Sequence, residues 1–269
     1  MITAKMVQEL REKTGAGMMD CKKALTAANG DIELAVENLR KSGIAKAEKK
    51  AGRSTNQGKV WTAIADGSAV IIELLCETDF AAKTPKFGAL VEDTAASALQ
   101  VAGEGDITEA ANEAVGANLT NHIATIGENM QLRRVVKWNG SGASKFAGYH
   151  HMDGRVSVLV EVEGTDDAEL LNDICLHIAA FSPRFVTSDD VPADVIAKEK
   201  EIAAAADPKL ANKPAEMLEK ILAGKIGRFF SEVCLVNQPW VRDDKTTLAK
   251  LHPQVKVKRF VRWMIGEEI

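Results

Sequence analysis

Apolar residues recur at helical spacing in three short segments of residues 1–43. The clearest apolar face lies in the third segment and comprises Ile32, Ala35, Val36 and Leu39. Thr3 and Asp31 precede the first and third segments as suitable N-caps, and Gly15 ends the first. The pattern predicts three short helices that close a small bundle. Residues 1–53 are therefore the first expected domain, with a basic linker at its end.

Strand-like runs replace the helical pattern after residue 54 and occur in two similar sets. The strands of the first set are Val60–Ala65, Val70–Cys76 and Leu132–Trp138. Those of the second set are Ala143–His150, Val156–Val162 and Val255–Ile265. In each set a turn signal joins the first two strands and helical segments precede the third. The sets predict a duplicated α+β core, with subdomains at residues 54–140 and 141–269.

The second set is interrupted by a helical pattern in residues 192–232. A first helical stretch ends at Asp207-Pro208, and Pro214 can open a second. The pattern predicts an inserted helical hairpin at about residues 190–231.

The apolar run Val70–Cys76 stops abruptly at Glu77-Thr78-Asp79. Its length and β-branched residues predict a buried strand that leads directly into a helix. Thr78 is a suitable N-cap, and Asp79 places a negative charge where the helix dipole favours one. Phe80 then falls on the first turn, where it is held from behind and can insert into a partner. The alternative is that Phe80 fills the core of its own subdomain.

Met18 and Met19 begin the second helix of the first domain. Two consecutive helical residues cannot both face one small core, so at least one methionine is expected on the surface. An exposed methionine often marks a partner contact, and packing against the helix cap is the alternative.

The composition is that of an ordinary globular chain, with 269 residues of which 46% are hydrophobic and 27% charged. This length allows two or three domains. No apolar run approaches the roughly 20 residues that span a bilayer, and the first residues lack the features of a secretory signal. We expect a cytoplasmic protein or the mature form of an organellar one. The four cysteines are far apart and are expected to be reduced and packed.

Charge is distributed unevenly along the chain. Residues 1–53 hold eleven Lys/Arg against seven Asp/Glu, which gives +4 and leaves −8 for the remainder of a chain with net charge −4. The basic segment Lys46–Arg53 raises RNA binding as an alternative, and such binding would depend steeply on salt. Aromatic residues do not alternate with these basic residues, so a base-stacking surface is not supported.

Catalytic motifs are missing from the sequence: it contains no GxxxxGK[ST], HExxH or GxSxG. His150 and His151 are adjacent in an expected strand, so they point to opposite faces and do not favour joint metal ligation. A Cys76–His nucleophilic pair is an alternative, although the apolar run around Cys76 disfavours a thiolate. We expect no catalytic residue, no metal site and no cofactor.

Five long segments have the character of family motifs. They are LREKTGAGMMDCKKAL at residues 10–25, NGDIELAVENLRKSG at 29–43, CETDFAAK at 76–83, IGENMQLRRV at 126–135 and YHHMDGRVSVLVEV at 149–162. In sequence, order and spacing they resemble the elongation factor Ts family, the guanine nucleotide exchange factors for elongation factor Tu. The resemblance covers essentially the whole chain.

The resemblance implies a particular version of the α+β architecture. It implies that the N-terminal helices form a ubiquitin-associated-like domain and that each core subdomain carries a three-stranded antiparallel sheet. It also implies that the late insertion is a coiled-coil hairpin. A ubiquitin-binding adaptor is a rival function suggested by the first domain.

The resemblance also assigns roles to residues. The corner Thr78, Asp79, Phe80 and Ala81 is expected to enter between two helices of the nucleotide domain of elongation factor Tu and to disturb its magnesium site. Further contacts with the same partner are expected from Arg11, Met18, Met19, Ile126 and His151. Nucleotide, membrane and nucleic acid are not expected partners, and the complex is expected as a one-to-one or a two-to-two assembly.

The last residues, Gly266 to Ile269, follow directly on the final expected strand. Many members of the resembled family continue into a C-terminal helical module that also touches the partner. We expect that contact to be missing here, which would affect the strength of pairing and leave the central mechanism unchanged.

Overall fold

The computed structural model describes residues 2–206 and 214–268. The chain separates into two compact units. The first comprises Met1–Asn139, Met152–Val156 and Trp263–Ile269, and the second comprises Gly140–His151 and Ser157–Arg262. The α+β class predicted from the sequence is confirmed. The predicted domain limits at residues 54 and 141 stay a prediction.

The first unit begins with three helices, α1 (Ala4–Thr14), α2 (Met18–Ala27) and α3 (Ile32–Glu48). The Thr3 side chain caps α1 and the Asp31 side chain caps α3, each by accepting a backbone N–H bond. Their common core consists of Val7, Leu10, Cys21, Ala24, Leu25, Ala28 and Ala35. The three helices therefore have an apolar core of their own.

The sheet of the first unit has four strands in the order β1-β2-β4-β3. They are β1 (Gln57–Ala65), β2 (Ser68–Cys76), β3 (Gly105–Asp106) and β4 (Met130–Asn139). The expectation of three strands is therefore wrong for this sheet, because the two-residue β3 pairs antiparallel with β4. So short a strand has no periodicity that a sequence pattern can reveal.

Three helices complete the first unit: α4 (Asp79–Ala82), α5 (Pro85–Gln100) and α6 (Thr108–Ile126). Residues of α5 and α6, including Phe87, Leu90 and Val115, pack with Ile72 and Leu74 of β2 in one apolar core. The central strand β2 is buried along nearly its whole length. It is the rigid element from which α4 starts.

The second unit contains a three-stranded sheet in the order β5-β6-β7. Its strands are β5 (Lys145–His151), β6 (Val156–Glu163) and β7 (Lys256–Met264). The first residue of β6 and the last two residues of β7 belong to the first unit. A core formed with α7 (Ala168–Phe181) and α10 (Leu248–Leu251) lies against the strands. The strand order, first-second-last, is the same as that of β1, β2 and β4, in agreement with the predicted repeat.

Helices α8 (Ala193–Ala205) and α9 (Ala215–Val233) pack against each other. They occupy the segment predicted as a hairpin, and α9 ends two residues beyond its predicted limit at residue 231. The Lys225 ammonium of α9 donates a hydrogen bond to the Ala203 carbonyl of α8, at 3.3 Å. The predicted break at Asp207-Pro208 lies outside the described residues. Among the residues that are described, no helix is long and apolar enough to cross a membrane.

A buried carboxylate, Glu73, sits in the middle of β2 in the first unit. Arg134 Nε donates to Glu73 Oε2 at 2.5 Å and Arg133 Nη1 does so at 3.2 Å, while the Gly266 N–H donates to Oε1 at 3.0 Å. Consecutive strand residues normally point to opposite faces. Here the register of β4 shifts between the partners of Glu73 and Leu74, and this bulge lets both arginines reach one carboxylate.

Replacing Glu73 by alanine should lower the free energy of unfolding by about 3–5 kcal/mol, because two arginines lose their buried partner. Urea denaturation of the purified protein measures the change. Glu216→Ala is the control, since Glu216 forms an exposed ion pair with Lys220 whose loss should cost less than about 1 kcal/mol. Equal effects of the two substitutions would show that Glu73 is not a stabilising centre.

His177, on α7, is the buried titratable group of the second unit's core. Its ring stacks between Phe181 and Trp240, with centroid distances of 4.7 and 5.1 Å. The Gln238 amide donates to backbone carbonyls, so its oxygen accepts from His177 Nε2 at 3.0 Å. His177 Nδ1 has no hydrogen-bond partner. Burial lowers the pKa of His177, and the bond to Gln238 opposes this only in part.

The lowered pKa of His177 predicts a loss of stability on mild acidification. Below about pH 6.5 the histidine of the unfolded chain is protonated, while buried His177 in the native state stays neutral. Because the unfolded state then binds more protons, the free energy of unfolding falls as pH decreases. The slope from this group is at most about 1.4 kcal/mol per pH unit. Urea denaturation between pH 7 and pH 5.5 should show a shallower slope for His177→Phe than for the unmodified protein. Equal slopes would contradict the assignment.

Candidate functional site

The corner between β2 and α4 is built by a strand end and a helix cap. β2 ends at Cys76, and Thr78 is extended with φ −126° and ψ 153°. Thr78 Oγ1 accepts a hydrogen bond from the Ala81 N–H at 3.2 Å, which is the N-cap that the sequence predicts. Ala81 and Ala82 are buried in the core of the first unit. The inner side of the turn is thereby anchored.

Phe80 lies on the outer side of this turn and is 81% exposed. The alternative that it fills its own subdomain is therefore wrong. Large aromatic side chains are usually buried, but here the ring is in solvent while the two alanines that follow it are buried. This local geometry favours contact of the ring with another molecule.

Asp79 precedes the ring and keeps its negative charge. Its Oδ2 accepts a hydrogen bond from Lys83 Nζ at 2.7 Å, one helical turn later. This bond is the main cause of a lowered pKa of Asp79. The carboxylate is half exposed, so it remains available to a partner.

A loop behind the corner holds Thr78 in place. The Thr78 N–H donates to Glu128 Oε2 at 3.0 Å, and Thr78 Oγ1 donates to Glu128 Oε1 at 2.6 Å. Glu77 Oε1 in turn accepts from the Asn129 N–H at 2.6 Å. Glu128 was not predicted as a site residue, because it lies in the segment 126–135 and carries no local sequence signal of pairing with residue 78.

The two methionines at the start of α2 are both on the surface. Gly15, with φ 64°, ends α1 in the left-handed conformation that glycine favours, and α2 begins three residues later. Met18 is 51% exposed and Met19 65% exposed. The Lys86 ammonium, at the start of α5, lies 3.7 Å from the point that a Cβ atom would occupy if residue 15 had a side chain. The α1–α2 loop thus lies beside the helix that follows the Phe80 corner.

Comparison with known proteins relates this chain to one family. The family described as "Elongation factor TS" matches residues 77–267. The chain is 46% identical over 278 residues to "Elongation factor Ts" of Tolumonas auensis, which covers 100% of this chain and 92% of that protein. It is 44% identical to the protein of the same name from Thioalkalivibrio sulfidiphilus and 46% identical to that from Methylococcus capsulatus, each over 100% of this chain and 93% of the relative.

The chain belongs to the elongation factor Ts family. Membership of this family supports a role in translation elongation. The resemblance stated from the sequence motifs is confirmed.

The remaining residues expected from the elongation factor Ts resemblance differ in their surroundings. Arg11 lies on the exposed face of α1. Ile126 ends α6 and is partly buried against the core of the first unit. His151 ends β5 in the second unit and is exposed, with its Nδ1 3.2 Å from the Tyr149 hydroxyl. The structure groups Thr78, Asp79, Phe80 and Ala81 on one turn, and the other residues lie on separate elements.

Two alternatives to the elongation factor Ts function lose support from local electrostatics. Lys46 is paired with Asp20 at 2.9 Å and Arg53 with Glu77 at 3.4 Å, so part of the basic segment is already neutralised. Burial raises the pKa of the Cys76 thiol to about 12. A thiolate at Cys76 is therefore strongly disfavoured. Because the thiolate is the reactive form of cysteine, this argues against a nucleophilic role for Cys76.

Proposed function

We propose that this chain binds elongation factor Tu in its GDP-bound form and promotes release of the GDP. The observation that carries the proposal is the exposed Phe80 ring on an anchored corner. In this role the chain is a guanine nucleotide exchange factor, and it performs no bond-making chemistry of its own.

Exchange requires only a difference in binding between two states of the partner. A GTPase holds GDP through backbone amides around the phosphates and a bridging Mg²⁺ ion. A factor that binds the nucleotide-free form more tightly than the loaded form weakens GDP binding by the same free energy. GTP binding then releases the factor by the same reciprocity.

Phe80 acts as the wedge in this mechanism. Its ring enters between two helices of the partner's nucleotide domain, while Thr78 and Ala81 keep the turn anchored to the core. Burying one phenylalanine is worth roughly 1.5–3 kcal/mol, or about one to two decades of affinity. A large exchange effect therefore needs further contacts.

The additional contacts come from residues on other elements of the chain. Met18 and Met19 supply flexible apolar area, and Arg11 supplies a cation on the neighbouring helix. Ile126 and His151 are further contacts of the same partner. The factor itself takes up no nucleotide and no metal, and the complex forms as one-to-one or two-to-two.

Asp79 has an electrostatic role at the corner. Lys83 orients its carboxylate and keeps it ionised. In the complex this charge redirects hydrogen bonds that position the surroundings of the partner's Mg²⁺ ion, which loosens the metal and with it the phosphates.

The substitution Phe80→Ala tests the wedge. Since the ring is exposed, the free energy of unfolding should change by less than about 0.5 kcal/mol. The stimulated rate of GDP release should fall about tenfold or more, because the lost burial occurs only in the complex. Release of fluorescent GDP from elongation factor Tu, followed with and without each protein, measures the effect.

Ile64→Ala is the matched control for Phe80→Ala. Ile64 is an exposed apolar residue of β1 that pairs with Ala69, at the opposite end of the hairpin from Cys76 and the corner. Its loss should leave GDP release unchanged. Unaltered release with Phe80→Ala, or an equal decrease with both variants, would remove the wedge from the mechanism.

A further inference from the structure

The loop that follows α6 contacts the back of the Phe80 corner. Gly127 caps the C-terminal end of α6 with φ 91°, and β4 begins at Met130. Only Glu128 and Asn129 lie between them. The Glu128 carboxylate accepts two hydrogen bonds from Thr78, one from the N–H and one from the hydroxyl. Charged acceptors form stronger hydrogen bonds than neutral ones.

The contact is reciprocal, because each loop supplies a carboxylate to a backbone N–H of the other. Glu77 Oε1 accepts from the Asn129 N–H at 2.6 Å, while Glu128 Oε2 accepts from the Thr78 N–H at 3.0 Å. We name these four residues, Glu77, Thr78, Glu128 and Asn129, the carboxylate clasp. It joins positions fifty residues apart, as the Thr78–Glu128 separation shows.

The turn that bears Phe80 needs such support. Helix α4 has four residues, a length at which a helix does not hold its own conformation. The Phe80 ring is exposed and so contributes no packing to the turn. Burial of Ala81 and Ala82 fixes the inner side, and the clasp fixes the first residue.

We propose that Glu128 is a positioning residue that sets the orientation of Phe80 through Thr78. This proposal rests on the proposed exchange function. Glu128 touches neither the partner nor the nucleotide in this role. It holds the Thr78 hydroxyl so that its oxygen faces the Ala81 N–H, and thereby fixes the start of α4.

Asn129 offers a matched comparison within the same loop. Its side-chain amide donates to the Ala51 and Arg53 carbonyls, at 3.3 and 2.9 Å, and its bond to Glu77 comes from the backbone. Asn129→Ala therefore loosens the loop from residues 51–53 but keeps both carboxylate contacts. A general effect of loop destabilisation should appear in this variant as well.

Glu128→Ala, Glu128→Gln and Asn129→Ala are compared in release of fluorescent GDP from elongation factor Tu over a range of factor concentrations. For Glu128→Ala the maximal rate should fall about tenfold, as expected for losing hydrogen bonds to a charged acceptor. The half-saturating concentration should change less than about twofold, because the wider contact surface is intact. Glu128→Gln should recover part of the rate, and Asn129→Ala should match the unmodified protein.

Hydrogen–deuterium exchange of the free protein provides a readout without the partner. The segment 77–84 should exchange faster in Glu128→Ala than in Asn129→Ala or the unmodified protein. If the unmodified protein fails to accelerate GDP release, the exchange function and the positioning role both fall. If it accelerates release and Glu128→Ala does so equally, or if Asn129→Ala loses as much as Glu128→Ala, the positioning role alone is overturned.

Discussion

Burial of β2 between β1 and β4 is the constraint on which the rest of the site depends. The strand has nearly no freedom because its side chains are packed with α5 and α6. Its end at Cys76 therefore fixes where the chain emerges from the sheet. A capped turn directly after such a strand is itself held in place. A ring on that turn can therefore keep its position when it contacts a partner.

In the proposed exchange function, the anchored corner acts by deforming the partner. A wedge works only if it costs less to deform the partner than to deform the wedge. The buried alanines and the carboxylate clasp stiffen the turn that bears the ring. The ion pairs of Glu73 with Arg133 and Arg134 hold the middle of β2. The apolar side chains of Phe80, Met18 and Met19 are exposed to solvent, and in the proposed function a partner covers them.

Local rules predicted much of this from the sequence. The Thr78 cap and the exposure of a methionine at the start of α2 depend on neighbouring residues, which periodicity and capping preferences describe. Contacts between distant positions were not predictable in this way. The bond from Thr78 to Glu128 joins segments that come together only through folding, and the bulge that turns both arginines toward Glu73 breaks the strand alternation on which sequence reasoning relies. The partly buried position of Ile126 likewise follows from the packing of α6.

In the proposed function, the exposed ring at position 80 becomes buried in elongation factor Tu. Fluorine NMR of 4-fluorophenylalanine placed at position 80 tests it directly, since the fluorine chemical shift differs between H₂O and D₂O only when water reaches the ring. The free protein should show this solvent isotope shift, and the complex with nucleotide-free elongation factor Tu should lose it. An undiminished isotope shift in the complex would contradict the claim.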